Sequence, residues 1–363
     1  MRSISLSLPA IALRIISVAT ALLSLMLAGT VTANTTAERR YLPDQQAFYL
    51  YQAFQARTAS ERLRIGHIGV ISERQDDTWV VSAVLQGYPG HELGLRRGDR
   101  LLSVENEAFH PLWSFNERDD DLARCRTARN LQLRYARNDT VQEQAIRPVC
   151  ENLFDSYRSA TEHSVNTFIT GNKSVSYLQL WALSRNADDR LYFLQLLKGL
   201  SNNDALILDL RHAYGYFDWP QVQPFFPGTS RHLDVSSTGD HSSRVIQPAP
   251  ASIVTTGELF EKPLVVIANE QTRGGAELLL AQLSRSPRSL TTGLPTAGFI
   301  EGIPLVPAPA ALIYRSQGRI EIDGHRPEIN GIAVDFEQEY PLDSSRATDP
   351  QFEAALNLLL NVL

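Results

Sequence analysis

The chain predicts an α/β protein, and three observations predict it. Ala205–Leu208 and Leu264–Ala268 are short, wholly apolar runs that read as buried strands. Each stands beside a helical pattern, Asp188–Leu200 before the first and Leu278–Leu283 after the second. Strands alternating with helices across residues 151–363 argue α/β, while residues 64–150 read mainly as strands and turns.

Residues 1–33 read as an export signal outside the fold. Arg2 and Arg14 supply positive charge, Ile15–Leu27 is mostly apolar, and Val31-Thr32-Ala33 offers small residues ahead of a cut before Asn34. The apolar run is short for a membrane span, so cleavage is expected over a retained anchor. No cysteine lies near the cut, which argues against a lipid anchor. The expected location is periplasmic or extracellular.

Residues 34–63 read as a helical arm. Ala47, Leu50, Tyr51 and Phe54 fall at i, i+3, i+4 and i+7, with Phe48 beside them. Such an arm suits packing or the contacts of a homo-oligomer, and it carries no visible chemistry.

In residues 64–150, Ile68–Ile71 and Trp79–Val84 read as strands. Gly87–Val104 then gives a turn, a short helix, a Gly-Leu pair and Gly98-Asp99 leading into a strand. Gly94 and Gly98 suit positive φ, Asp99 can bond its own loop, and Leu101 and Val104 reach a core. Asn116–Arg126 is expected to be a helix. Leu131–Tyr135 and Gln142–Ile146 form a hairpin around Asn138-Asp139.

In residues 151–363, Val175–Leu180 is a strand, and Asp188–Leu200 presents Leu191, Leu194, Leu197 and Leu200 on one side. Ala205–Arg211 runs from a strand into a polar turn. Leu264–Ala268 leads through Asn269–Glu277 into the apolar helix. Ala311–Tyr314 is a further strand, and Asp349 caps a final helix with Pro350 at its first position.

Composition bounds the function. The formal charge is −6, and losing Arg2 and Arg14 makes it −8. No basic patch stands out, so nucleic acid is not an expected partner. Cys125 and Cys150 are the only cysteines; in an exported chain they read as a disulfide, with two free buried thiols as the alternative. The enclosed loop would contribute about 3–3.5 kcal/mol. The eight histidines lack ligand spacing, so no metal is expected, and nothing calls for a cofactor.

Gly87–Val104 resembles the PDZ-domain signature. Asn269–Glu277 resembles the strand-to-helix turn that carries the nucleophile of the C-terminal processing (tail-specific) peptidases, whose frame reads roughly Asn-Glu-x-Ser-Ala-Ser-Ala-x-Glu. Leu208–Arg211 is similar to that family's Asp-Leu-Arg turn, Ile329–Asp335 to its late Gly-Val-x-Pro-Asp segment, and Asp349–Leu356 to its ending. The resemblance covers most of the chain beyond the signal. It implies a PDZ domain over 64–150 and, over 151–363, a core like the ββα spiral of crotonases and Clp proteases. It also implies Ser/Lys peptidase chemistry.

That chemistry is missing from the residues. The nucleophile's slot holds Gly274. Read without gaps, the family's Lys base falls on Phe299 and its Gln orienter on Ile303; a two-residue insertion moves the base to Glu301. The chain's three lysines, Lys173, Lys198 and Lys262, lie elsewhere. The family's oxyanion turn, Asp-Leu-Arg-Gly-Asn-x-Gly-Gly, becomes Asp209–Tyr216, with Gly215 its one glycine. Three losses together predict no Ser/Lys peptidase activity. Thr272, Ser284, Ser286 and Ser289 are the other nearby hydroxyls, and Glu277 with Glu301 the other acid pair; each also has a purely structural reading.

Two binding sites are expected instead. Gly274 and Gly275 open a helix and present backbone N–H groups, Gly215 can add another, and Arg273 adds charge, a nest for a carboxylate. Ile68, Gly69 and Val70 are the expected PDZ segment, where a peptide adds a strand to the sheet edge. The expected partner is a peptide or protein C-terminus, bound without cleavage. An active hydrolase with another nucleophile and a small-molecule carrier are the alternatives.

Overall fold

Two sheets with different pairing rules carry the site. The computed structural model describes residues 39–41, 45–119, 122–126, 129–184, 187–216, 225, 235–239, 242–245, 260–300, 312–314, 318–322, 330–342 and 348–363. All of these lie in one compact unit, Arg39–Leu363. The signal residues, Glu301 and Ile303 fall outside the described residues.

The chain begins with β1 (Arg39–Tyr41) and α1 (Gln45–Gln55). It continues through β2 (Ile65–His67), β3 (Val70–Gln75), β4 (Thr78–Val84), α2 (Pro89–Glu92), β5 (Arg100–Val104) and β6 (Glu107–Ala108). Then come β7 (Asn116–Asp119), β8 (Leu122–Cys125), β9 (Leu131–Arg137), β10 (Thr140–Ile146) and β11 (Val149–Glu151). The strands run in the order β10-β9-β5-β4-β3, with β6 on β5, so β3 is an edge among the described strands. Val81, Leu101, Leu133 and Tyr135 fill the core of this antiparallel sheet. Gly94 and Gly98 take positive φ (78° and 89°), and Asp99 accepts from Arg96 N at 3.0 Å, as the loop chemistry predicts.

The helix expected over Asn116–Arg126 is replaced by a hairpin of β7 and β8. Buried Asn116 supplies the reason. Its amide accepts from Gly66 N (2.7 Å) and donates to Gly66 O (2.8 Å) and Leu112 O (2.7 Å), which holds the segment extended against β2. A disulfide joins Cys125 on β8 to Cys150 on β11.

The second half contains α3 (Leu153–His163), β12 (Asn166–Thr170), β13 (Lys173–Gln179), β14 (Ala182–Leu183), α4 (Ala187–Leu200), β15 (Ala205–Asp209) and β16 (Tyr214–Gly215). It goes on through β17 (Val235–Gly239), β18 (Ser242–Val245), β19 (Leu264–Ala268), α5 (Gly275–Leu283), β20 (Ser289–Gly293), β21 (Leu312–Tyr314), β22 (Gly318–Ile322), β23 (Phe336–Glu337) and α6 (Pro350–Val362). The main sheet runs β12-β13-β15-β19-β20-β23 and is parallel from β13 onward. Leu206, Leu208 and Val266 face α4 and α5, while Ile207, Val265 and Ile267 face Ala355 and Leu359 of α6. This period-two division is why both strands read as continuous apolar runs. Asp349 caps α6 by accepting from Gln351 N and Phe352 N.

One expectation changes in α4. In α4 the buried residues are Phe193, Leu197 and Leu200, while Leu191 is 57% exposed. A spacing of three drifts round a helix of 3.6 residues per turn, whereas i, i+4, i+7 stays on one face. The arm is packed within its own chain: Tyr51 and Phe54 of α1 meet Phe154 and Tyr214, and Tyr49 Oη accepts from Ala123 N at 2.6 Å. Among the described residues, no helix is long and apolar enough to cross a membrane.

Candidate functional site

The turn after β19 passes through a positive-φ backbone at a glycine. Gly274 has φ 64° and ψ −132° at the N-cap of α5. Strand–turn–helix elbows use strained backbone of this kind to expose a nucleophile, and glycine adopts it freely. A Cβ at this point would lie 2.9 Å from Gly215 O and 3.5 Å from the Tyr214 ring. Phe299 does lie opposite, since Gly274 N donates to Phe299 O at 2.9 Å. Its side chain, however, joins Tyr51, Phe54, Phe154 and Tyr214 in an apolar cluster. Among the described residues, no lysine belongs to this cluster.

The expected carboxylate nest is already filled by the chain. Glu277, fully buried on α5, accepts from Gly274 N (3.2 Å), Gly298 N (2.7 Å), Phe299 N (2.7 Å) and Thr296 Oγ1 (2.6 Å). Burial outweighs these bonds and raises its pKa to about 7. The helix N-terminus therefore holds an internal carboxylate, and Gly274 offers no spare amide. Gly275 is buried at the start of α5. Gly215 pairs with Leu183 and lies against Gly274.

Arg273 instead turns its side chain into a cleft. Its backbone N donates to Ala213 O (3.0 Å), Nη1 donates to Tyr51 Oη (2.7 Å), and Nη2 bonds Gln271. The cleft has a volume of about 590 Å³. The edge strand β3 from Val70 to Arg74 lines one side, and Leu50 and Tyr51 of α1, His212, Tyr214 and Arg273 line others. The two expected sites, the Gly69-Val70 segment and Arg273, thus share a single cleft; Ile68 lies in the antiparallel core.

A buried chain of hydrogen bonds shapes the start of β3. Gly69 N donates to His67 Nδ1 (3.1 Å), so Nε2 carries the proton and donates to Ser156 Oγ (3.1 Å). Ser156 donates to Glu151 Oε2 (2.8 Å), as does Tyr88 Oη (2.5 Å). Burial lowers the His67 pKa to about 4 and keeps the ring neutral. The bond directions explain why this Ser–His–Glu set is no catalytic triad: the ring nitrogen facing Ser156 is protonated. They also mean that Gly69 N, expected for a ligand, is engaged by His67. Sequence separation hid this network, since its members lie up to 89 residues apart.

Among the described residues, the other hydroxyls have no base bonded to them. Thr272 Oγ1 donates to Leu210 O (2.9 Å), and Ser284 Oγ to Ala281 O (2.9 Å). Ser286 and Ser289 are buried, and none of these hydroxyls bonds a histidine or a lysine among the described residues. Among the described residues no group of three or more His, Cys, Asp or Glu is placed to hold a metal.

No family model and no curated protein sequence matches the chain. Solved structures do. A Bacteroides fragilis protein described as a candidate S41 protease aligns with TM-score 0.56 at 14% identity, over 94% of this chain and 90% of its own. The photosystem II D1 C-terminal processing protease aligns with TM-score 0.46 at 17% identity, over 92% of this chain and 84% of its own. The mature CPAF complexed with lactacystin aligns with TM-score 0.44 at 11% identity, over 83% of each chain. The chain has the mixed α/β fold of the Bacteroides fragilis S41-type structure over nearly its whole length.

Proposed function

We propose that this protein is an exported pseudopeptidase of the C-terminal processing type, which binds peptide or protein C-termini and does not cleave them. One observation carries the reading: Gly274 keeps an elbow backbone while Phe299 and Tyr214 fill the space where a base would work. Losing single groups of a catalytic set already costs several orders of magnitude in turnover. Binding is supported by the cleft, where the edge strand β3 runs beside Arg273. An exposed edge accepts a peptide strand through its main chain, in the manner of PDZ domains. Export is supported by the first 33 residues and by the Cys125–Cys150 disulfide, which suits an oxidising compartment.

The cleft volume of about 590 Å³ also suits a small molecule, which keeps a carrier role as the second reading. Incubation with a pool of random heptapeptides separates them. Peptides retained by the protein and recovered intact by mass spectrometry are the expected result. Shortened peptides would overturn the pseudopeptidase reading, and a retained lipid with no retained peptide would favour the carrier.

A further inference from the structure

One end of the main sheet is open and carries no charge. β12 pairs with β13 in an unbroken five-residue ladder, from Asn166 with Tyr177 to Thr170 with Lys173, and it ends the order of the described strands on its other side. Its sequence, Asn166-Thr167-Phe168-Ile169-Thr170, has no charged residue and no proline. Ile169 is 78% exposed, and Val165 just before the strand is exposed as well. An exposed edge strand pairs readily with another strand, and natural sheets blunt their edges with charge, proline, bulges or brevity. The other ends of the two six-stranded sheets differ: β3 borders the cleft with α1 on another side, β10 carries Glu143, and β23 is two residues long. β12 has no charge, no proline and no break in its ladder.

The chemistry of this edge selects its occupant. A partner strand must be uncharged, extended and itself unpaired on one side. A second copy of β12 meets all three conditions. A two-fold axis through Phe168 sets Thr167 opposite the partner's Ile169 and Asn166 opposite the partner's Thr170. Each exposed Ile169 then packs on a β-branched threonine, a favourable cross-strand pair that the symmetry makes twice. Phe168, on the opposite face, meets Tyr177 and Phe352 of its own chain, with ring centroids 6.3 and 4.8 Å away. The strand is therefore ordered before a partner arrives, which lowers the entropic cost of pairing. A pair of five-residue strands buries little area by the standard of permanent dimers, so the association is a weak one.

We propose that β12 is a self-association edge, through which two copies of this protein join their main sheets antiparallel. None of its residues lines the cleft, so the proposal does not depend on what the cleft binds. It moves the homo-oligomer contact from the arm, which is packed within its own chain, to the end of the sheet.

Sedimentation equilibrium of the purified protein between about 1 and 100 µM, a range suited to a weak interface, is the test. Wild-type protein is expected to pass from monomer to dimer across that range. Ile169→Lys places on the edge the residue that natural sheets use against pairing, and it acts twice in a two-fold contact. It is expected to weaken the dimer by about tenfold or more, since both cross-strand pairs are lost and two charges enter the contact. It is expected to melt within a few degrees of wild type, because Ile169 is exposed, and to retain peptides as wild type does. Mixing Thr167→Cys and Ile169→Cys proteins under mild oxidation reads the register: covalent dimers joining the two variants are expected to exceed those of either variant alone. A wild-type protein that stays monomeric to the top of the range overturns the proposal. So does a dimer that Ile169→Lys leaves unchanged. Cross-linking that the mixture does not favour overturns the two-fold alignment through Phe168.

Discussion

Two turns meet at the cleft, and they break the glycine rule in opposite directions. At 274 a glycine sits in an elbow that a nucleophile would strain. At 212 a histidine sits in a left-handed turn that a glycine would relax. The first turn carries no side chain at its positive φ, and Tyr214, Phe299 and the α1 aromatics Tyr51 and Phe54 cluster together. The second carries a side chain at positive φ, and it lines two cavities.

The largest expected effect comes from what props the relaxed turn. Glu277→Ala leaves the buried N–H groups of Gly298 and Phe299 and the Thr296 hydroxyl without this acceptor, while Gly274 N keeps Phe299 O. A loss of about 3–5 kcal/mol in urea unfolding is expected, because each orphaned buried donor costs about 1–3 kcal/mol. A loss below 1 kcal/mol would mean that the turn does not depend on its internal carboxylate.

The same residue gives the fold a pH signature. The Glu277 pKa is raised from 4.5 to about 7 in the folded chain, so its contribution is present below about 4.5 and is lost as pH rises towards 7. The His67 pKa is lowered from 6.5 to about 4, so its contribution is present above 6.5 and is lost as pH falls towards 4. The two slopes oppose one another across the shared window. Glu277→Gln removes the first, and its urea midpoint is expected to rise steadily from about pH 4 to 6.5. A profile identical to wild type would contradict the assignment.

Smaller effects probe the glycine and the histidine themselves. Gly274→Ser is expected to cost about 1–3 kcal/mol, since it places a side chain at positive φ and brings its Cβ 2.9 Å from Gly215 O. It is expected to gain no peptidase activity while Phe299 stands where a base would have to be. His212→Gly is expected to change stability by less than about 1 kcal/mol, because relief of the left-handed strain offsets glycine's greater unfolded-state entropy. A destabilisation of several kcal/mol would make His212 a structural residue.

Much of this was legible in the residues because it is local. The apolar runs at Leu206 and Val265, the Gly94 and Gly98 loop, the α6 cap and the strand-to-helix turn at Gly274 each depend on neighbours in sequence. What was not legible depends on distant partners. Asn116 is held extended by Gly66, which a helical reading of its own segment could not anticipate. The Gly274 nest looked open because Glu277 reads as an ordinary first-turn acid until burial and Gly298 are brought to it. His212 was not singled out by its sequence neighbours; its positive φ and the two cavities it lines appear only in the fold.

The central claim is that no acyl transfer occurs at this elbow. Treating the native protein with a fluorophosphonate and weighing it intact tests this most directly. The account predicts an unchanged mass. An adduct on any serine or threonine of residues 151–363 would contradict it.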